Sequence, residues 1–253
     1  MDRPVIAFAH RGGAKHPDLI GLENTAFAFR HAVALGYRHL ETDVHLTADG
    51  RLIAFHDDEL DRTTDASGSV ATATPEVLAE ARIGGRYPIP TMAELFEEFE
   101  DCFFNIDLKS PGAGAALMVL IDKYAAHDRV RVGAFSLERM YDFRRLAAGR
   151  VATAAAPTEV VAFLQPSAGL ARLLTRGQVS ALQVPPRRIG LPVVTRAFIR
   201  HAHAAGAQVH VWTINEPAEM HRLLDLGVDG IFTDRTDLLK AVLLERGQWQ
   251  GPR

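Results

Sequence analysis

Residues 208–247 read QVHVWTINEPAEMHRLLDLGVDGIFTDRTDLLKAVLLERG and predict two strand–helix units in succession. Residues 208–214 are apolar on both faces, as expected for a strand buried in a parallel sheet. Asn215 is predicted to cap the helix that follows, which ends at a glycine. Gly230–Thr233 is the last predicted strand, and residues 234–246 are the last predicted helix. Units of this kind, joined by short connections, are typical of a parallel sheet.

The same alternation extends back to the N-terminus. Further strands are predicted at residues 5–9, 39–45, 105–109, 130–135, 151–155 and 181–185. An Asp49-Gly50 turn also predicts a hairpin, in which residues 51–56 run back along the second strand. A two-residue turn cannot join parallel strands, so this return strand is not one of the parallel strands of the sheet. Eight strands remain when this return is set aside. The sequence therefore predicts an α/β fold, a TIM-type (βα)₈ barrel with a hairpin and a small insertion, at about residues 57–90, after strand 2. We expect a single domain spanning residues 1–253.

The composition narrows the class of protein. The chain has 253 residues, of which 47% are hydrophobic, and a formal net charge of −3, so it lacks the basic character of a nucleic-acid binder. The single cysteine, Cys102, is expected to be a buried apolar residue. No apolar run reaches the length of a membrane span, and the run at residues 5–9 is too short for a signal-peptide core. We expect a cytoplasmic protein with a small-molecule partner, and its oligomeric state stays open.

Two carboxylates point to the same face of the second predicted strand. Glu41 and Asp43 are two residues apart, and alternate strand residues share a face. Carboxylates aimed together into a barrel would repel each other unless a positive charge lies between them. A divalent cation that prefers oxygen ligands, Mg²⁺ or Ca²⁺, would meet this need. An ion pair with Arg or Lys is the alternative.

The segment NIDLK at residues 105–109 repeats this arrangement. Asn105, Asp107 and Lys109 alternate with apolar residues, which gives the strand one polar face and one apolar face. Asp107 is a candidate third metal carboxylate, and Lys109 is a candidate ligand of a phosphate oxygen. A structural Lys–Asp pair near the barrel rim is the alternative.

Two histidines complete the set of reactive groups. His10 and Arg11 follow the first strand, at the barrel end where such folds place their active sites. His10 is suited to proton transfer and Arg11 to a phosphodiester, and the two following glycines would let the backbone approach a ligand. His56 ends the hairpin return, and a second histidine would supply both the acid and the base for phosphodiester cleavage. Trp212 is predicted to form either an apolar pocket wall or part of the core.

These segments together resemble the glycerophosphodiester phosphodiesterase family. The matching segments, in chain order, are HRGG (10–13), LENT (22–25), ETDVHLTADG (41–50), IAFHD (53–57), RTTDASG (62–68), IPTMAEL (89–95), NIDLK (105–109), VWTIN (211–215) and GIFTD (230–234). The resemblance implies a TIM-type barrel that hydrolyses glycerophosphodiesters to an alcohol and sn-glycerol 3-phosphate. It also implies that the segment at about residues 57–90 is a small insertion overhanging the pocket.

The resemblance also implies roles for individual residues. The residues concerned are His10 and His56 as the general acid and base, Glu41 and Asp43 as ligands of one divalent cation, Arg11 and Lys109 as phosphate contacts, and Trp212 near the substrate. Asp107 departs from the family pattern, which usually has Glu before the lysine. Because Asp is one methylene shorter, its role as a direct metal ligand is left open.

The expected function is metal-dependent hydrolysis of glycerophosphodiesters by two-histidine acid/base catalysis. The alternatives are a lysophospholipase-D-like or phosphoinositide-directed phosphodiesterase on the same barrel, and a non-catalytic phosphodiester-binding protein. A long-chain substrate would need an apolar rim at the pocket mouth, and the polar insertion near residues 57–74 argues against one. Either histidine could be the acid, and the nucleophile could be water or a glycerol hydroxyl.

Overall fold

The computed structural model of the chain describes residues 4–164 and 167–251. Its strands are β1 (Ile6–His10), β2 (His39–Leu46), β3 (Leu52–Ala54), β4 (Arg82–Ile83), β5 (Tyr87–Pro88), β6 (Phe103–Leu108), β7 (Val130–Gly133), β8 (Ala152–Thr153), β9 (Ala181–Val184), β10 (Arg187–Arg188), β11 (Leu191–Pro192), β12 (Gln208–Val211) and β13 (Gly230–Thr233). Its α-helices are α1 (Ala26–Ala34), α2 (Pro75–Glu80), α3 (Met92–Glu98), α4 (Ala113–Lys123), α5 (Leu137–Ala147), α6 (Pro157–Phe163), α7 (Ala168–Leu174), α8 (Arg196–Ala204), α9 (Pro217–Leu226) and α10 (Thr236–Glu245).

Eight parallel strands form a barrel in the order β8-β7-β6-β2-β1-β13-β12-β9. A parallel bridge between Ala154 and Ala181 joins the two ends, supported by a 2.9 Å hydrogen bond from the Ala155 amide to the Ala181 carbonyl. Strand β3 pairs antiparallel with β2 after the tight turn. The predicted TIM-type barrel with a hairpin after strand 2 is therefore confirmed.

The helices are positioned by local signals that the sequence already carries. The Ser136 hydroxyl accepts a hydrogen bond from the third residue of α5, and Thr195 does the same for α8. Thr91 and Glu94 form a reciprocal capping box at the start of α3. Such caps satisfy helix N–H groups and fix where each helix begins. The apolar faces of the helices then pack on the outer faces of the barrel strands, in one core that includes the buried Cys102.

The predicted starts of the last two helices are wrong, and the residues concerned, Asn215 and Asp234, lie beside the candidate site. Helix α9 begins after Glu216 rather than at Asn215, and α10 begins at Thr236 rather than at Asp234. The Asn215 amide donates to the Asp234 carboxylate (3.0 Å), and its oxygen accepts from the Asp234 backbone amide (2.9 Å). Both side chains are thus bound to each other at the ends of strands instead of capping or extending helices.

The insertion after β3 folds against the hairpin. It contains α2 and the β4–β5 pair, and its own small core includes Leu60, Val70, Leu78 and Ile83 packed beside β3. The sequence showed little periodicity here because these elements are only two to six residues long. A second small hairpin, β10–β11, follows β9 and was not predicted. Among the helices of residues 4–164 and 167–251, none has both the length and the apolar character needed to cross a membrane.

Candidate active site

The register of the barrel brings the predicted polar residues to one end. In the pairing of β1 with β2, His10 lies opposite Glu41. In the pairing of β2 with β6, Glu41 lies opposite Asn105 and Asp43 opposite Asp107. His10 is the last residue of β1 and Asp107 the last but one of β6, so the group lies towards the carboxyl ends of these strands, where barrels of this type carry their active sites. The side chains expected to act together therefore meet across three neighbouring strands.

Asp43 lies at the centre of this group. Its Oδ1 is 2.9 Å from Lys109 Nζ, and its Oδ2 is 3.2 Å from Arg11 Nε. Burial alone would raise the pKa of Asp43, but Lys109 and Arg11 together lower it below its usual value. Lys109 also contacts Asp107 at 2.8 Å, and these carboxylates outweigh burial to raise the pKa of Lys109 to about 12. Both basic side chains are therefore charged and held at the barrel mouth.

Glu41 is in a different electrostatic position. Burial and the nearby Asp43 charge raise the pKa of Glu41 to about 7, although His10 and Arg11 oppose this. The Arg11 backbone amide donates to Glu41 Oε2 (3.0 Å). Within residues 4–164 and 167–251, its one ion-pair partner is His10, at 3.8 Å. Glu41 is thus a buried carboxylate whose charge is only partly compensated.

Asp43 and Asp107 form the ion pairs with Arg11 and Lys109 that were the alternative to metal binding, yet the balance of charges in the site is also compatible with a divalent cation. Glu41, Asp43 and Asp107 supply three carboxylates against the two permanent cations Arg11 and Lys109. Burial raises the pKa of Asp107 as well, so that its charge too is incompletely balanced. A phosphodiester bound here would add a further negative charge. Hard oxygen ligands and an excess of negative charge are the conditions in which proteins bind Mg²⁺ or Ca²⁺.

His10 is oriented by a carboxylate that the sequence analysis had placed in a helix. His10 Nδ1 lies 2.6 Å from Asp234 Oδ1, and Asn215 in turn holds Asp234. Burial would lower the pKa of His10, but Glu41 and Asp234 together raise it. Because Nδ1 faces Asp234, Nε2 is the nitrogen that remains for proton transfer. The signal for this role was the position of Asp234 directly after the last strand.

His56 is held in a similar way from the other side. Its Nδ1 lies 2.5 Å from Asp57 Oδ1. Asp57 is bound by Arg62, and Arg62 also donates to Glu23 at 2.7 and 2.9 Å. Glu23 completes the chain by accepting from Arg11 Nη1 (3.1 Å). The insertion thereby connects His56 to Arg11, and neither Arg62 nor Glu23 was assigned a role from the sequence.

The two glycines of HRGG lie where the loop after β1 packs against two helices. A Cβ on Gly12 would lie 2.7 Å from the Ala28 Cβ of α1, and a Cβ on Gly13 would lie 3.0 Å from the Thr236 side chain. Both glycines have positive φ, and so does Arg11 between them and the strand (50°). The glycines thus let the loop turn and pack closely against two helices, which holds Arg11 in place, and close approach of this backbone to a ligand stays a prediction.

Trp212 lines an open cavity rather than the core. Its ring packs edge-on against Phe135, with 5.9 Å between centroids, and Lys109 Nζ lies 5.6 Å from the Phe135 centroid. The cavity beside these rings has a volume of about 700 Å³ and also reaches Asp107. The interpretation of Trp212 as a pocket wall therefore agrees with the structure, and Phe135 is an additional wall residue that the sequence analysis missed.

A second group of potential metal ligands does not include any of the predicted site residues. His16, Asp18 and His31 each offer one donor atom, and the three atoms lie within 4.8 Å of one another. The two imidazole rings are 4.3 Å apart, and each histidine has a nitrogen 3.7 Å from Asp18 Oδ2. This group contains no residue predicted to contact a phosphate. It is the alternative position for a bound cation.

Comparisons with known proteins show which family and fold this chain shares. Residues 10–238 match the family model described as "Glycerophosphoryl diester phosphodiesterase family". The chain is 40% identical over 250 residues to the Mycobacterium tuberculosis protein named "Probable glycerophosphodiester phosphodiesterase 2", covering 97% of this chain and 93% of that one.

Solved structures show the same fold. A glycerophosphodiester phosphodiesterase from Agrobacterium tumefaciens superposes with a TM-score of 0.76 at 23% identity, over 93% of this chain and 99% of that one. An Oleispira antarctica phosphodiesterase in complex with the product sn-glycerol-3-phosphate has a TM-score of 0.78 at 22% identity, over 95% and 97% of the two chains.

Proposed function

This chain belongs to the glycerophosphoryl diester phosphodiesterase family, and we propose that it hydrolyses glycerophosphodiesters to an alcohol and sn-glycerol 3-phosphate by metal-dependent, two-histidine acid/base catalysis. It is an enzyme of the phosphoric diester hydrolase class. The observation that carries the proposal is the pair of histidines, His10 and His56, each fixed at Nδ1 by its own carboxylate beside a cluster of buried charges. The product seen in the Oleispira antarctica relative supports the same reaction here.

Glu41, Asp43 and Asp107 would hold one divalent cation, Mg²⁺ or Ca²⁺. When bound, such a cation supplies Lewis-acid stabilisation of negative charge on a phosphoryl group. The excess of carboxylates over permanent cations supports this assignment. Asp107 has a shorter side chain than Glu and contacts Lys109. Its contribution to metal affinity should therefore be measured separately from those of Glu41 and Asp43.

The remaining side chains bind the substrate and move protons. Arg11 and Lys109 offer N–H donors to the phosphate oxygens, and their raised pKa values keep both charged throughout the neutral pH range. His10 and His56 each present Nε2, so one can accept the proton of the nucleophile while the other donates a proton to the leaving alkoxide. Asp234 and Asp57 are positioning residues that fix the two imidazole rings.

We further propose that the chain forms one domain over residues 1–253, acts in the cytoplasm and takes a small glycerophosphodiester as its partner. The shared core of the barrel and the absence of a membrane-spanning helix among the described residues support these proposals. Cell fractionation followed by immunoblotting tests the location: recovery in the membrane pellet after a salt wash would contradict it.

The reaction is tested by measuring sn-glycerol 3-phosphate release from glycerophosphocholine. We expect His10→Ala and His56→Ala each to lower kcat by about 10²–10⁴-fold, because each removes one proton-transfer group. His221→Ala is the matched control, since His221 is about as exposed as His56 and lies on α9 away from the site. Wild-type turnover in either active-site variant would refute the two-histidine assignment.

A further inference from the structure

The cavity beside Trp212 differs in character from the rest of the site. Its walls are the ends of β7, β8 and β9 together with α6 and the β10–β11 hairpin. Of the described residues that line it, only Asp107 and Arg188 carry a charge. By contrast, the side of the site formed by β1, β2 and the insertion carries the ion pairs of Arg11, Glu23 and Arg62. The site is therefore divided into a charged half and an apolar half, with Asp107 at the boundary.

The mouth of this cavity carries several large apolar side chains exposed to solvent. Ile189 is 94% exposed, Leu191 71% and Val161 55%, and Phe135 and Leu164 are also exposed. Single exposed apolar residues are common, but a contiguous group around one opening is typical of a ligand-binding site. A long-chain substrate requires an apolar rim of this kind at the pocket mouth. The polar insertion near residues 57–74 had argued against such a rim. Phe135 follows β7, the other rim residues belong to α6, its C-terminal end and the second hairpin, and none comes from the polar insertion.

We propose that this cavity binds an aliphatic chain of the substrate, so that the preferred substrate is a phosphodiester carrying one long alkyl or acyl chain. The inference rests on the proposed function of the same site. The volume of about 700 Å³ lies within the range of about 300–1,000 Å³ found for small-molecule sites, and most residues that line the cavity are apolar, the exceptions with polar side chains being Asp107, Gln183 and Arg188. The phosphate would lie between Arg11 and Lys109, and the chain would extend past Trp212 and Phe135.

Binding of an aliphatic chain is measured separately from catalysis by isothermal titration calorimetry, with each probe kept below its critical micelle concentration. The probes are dodecylphosphocholine and hexylphosphocholine. Each methylene moved from water into the cavity is expected to tighten binding roughly fourfold, so burial of even two of the six additional methylenes should make the dodecyl compound bind at least about tenfold more tightly. Equal affinities for the two compounds would overturn the inference, whatever the activity on glycerophosphocholine.

Substitutions at the rim locate the site. Val161→Glu and Leu191→Glu place a charge at exposed positions, so they are not expected to prevent folding. Each should remove most of the dodecyl preference. The matched control is Val119→Glu on α4, which makes the identical change at a position that is 67% exposed and outside the cavity. A dodecyl preference that survives both rim substitutions, or that Val119→Glu also removes, would contradict the assignment of the cavity.

Turnover rates show on which side of the phosphate the substrate carries its aliphatic chain. Lysophosphatidylcholine carries its chain on the glycerol side and would release choline, whereas a glycerophospho-N-acylethanolamine carries it on the leaving alcohol and would release sn-glycerol 3-phosphate. We expect kcat/KM for one of these compounds to exceed that for glycerophosphocholine by about tenfold or more, and Val161→Glu to reduce this ratio. Turnover of glycerophosphocholine with no gain from either chain would refute the inference and leave the proposed function standing. Failure to hydrolyse any of the three compounds would instead count against the proposed function.

Discussion

Replacing Asp234 by Asn tests how His10 is held. The carboxylate is buried, lies 2.6 Å from His10 Nδ1, and is itself fixed by Asn215. A hydrogen bond of this kind, to a charged group, contributes about 1.5–3 kcal/mol. If that energy is lost when the imidazole is charged during the reaction, kcat falls by about 10- to 150-fold, since about 1.4 kcal/mol corresponds to a factor of ten. We expect Asp234→Asn to lower kcat within this range with little change in KM.

The pH dependence gives a second measurement on the same variant. Asp234 raises the pKa of His10, so its replacement by a neutral amide lowers that pKa. The limb of the pH–kcat profile that reports His10 should therefore move to lower pH. Asp225→Asn is the control, because Asp225 pairs with Arg246 at the surface and does not contact a histidine of the site. A variant that keeps wild-type kcat and an unshifted pH profile would refute the role of Asp234.

Three further changes test the packing and the charges. Gly12→Ala should lower the free energy of unfolding by about 2–4 kcal/mol in urea titrations, because the new Cβ meets α1 at 2.7 Å and φ is +84°. Gly50→Ala, at a similar φ but in open space, should cost only about 1–2 kcal/mol, and equal costs would contradict the packing argument. Arg144→Ala should cost about 3–5 kcal/mol by leaving its buried glutamate partner unpaired, whereas the exposed Arg145→Ala should change stability by less than about 0.5 kcal/mol. The pKa of Glu41 is raised to about 7, so a metal ion that binds below this pH must displace a proton from Glu41. The Mg²⁺ concentration needed for half-maximal activation should therefore fall as pH rises from about 6 to about 8. A concentration that does not change with pH would argue against Glu41 as a ligand.

Strand periodicity in the sequence was enough to place one face of the site. Glu41 and Asp43 alternate with apolar residues on β2, as do Asn105 and Asp107 on β6, and parallel pairing then brings the two strands into register. The predicted barrel and hairpin followed from the same alternation and from one tight turn. These features depend on neighbours in sequence, so a single chain reveals them.

The contacts that the sequence did not reveal join residues far apart in the chain. Asp234 and His10 are 224 positions apart, and Arg62 and Glu23 meet only because the insertion folds back over the barrel mouth. Asp is also common in the first turn of helices, which is why Asp234 was predicted to begin the last helix. Pairings of this kind depend on how the barrel closes and not on local propensity.

The apolar cavity was missed for another reason. Its rim consists of short elements, α6 and the β10–β11 hairpin, whose apolar residues show no strand or helix period over such lengths. The prediction of a polar pocket mouth therefore rested on the insertion, which forms only the charged half of the site. The position of Ile189 and Leu191 beside Trp212 becomes visible only when β9 and β12 are adjacent.

The claim that the carboxylates at the barrel mouth bind the cation required for hydrolysis is tested most directly by one reconstitution experiment. Chelated enzyme is assayed for sn-glycerol 3-phosphate release from glycerophosphocholine before and after addition of Mg²⁺ or Ca²⁺, in the wild type, in Asp43→Asn and in Asp18→Asn. We predict that the added cation restores activity to the wild type and to Asp18→Asn but not to Asp43→Asn. Full activity after chelation, or loss of reactivation in Asp18→Asn with recovery in Asp43→Asn, would contradict the account.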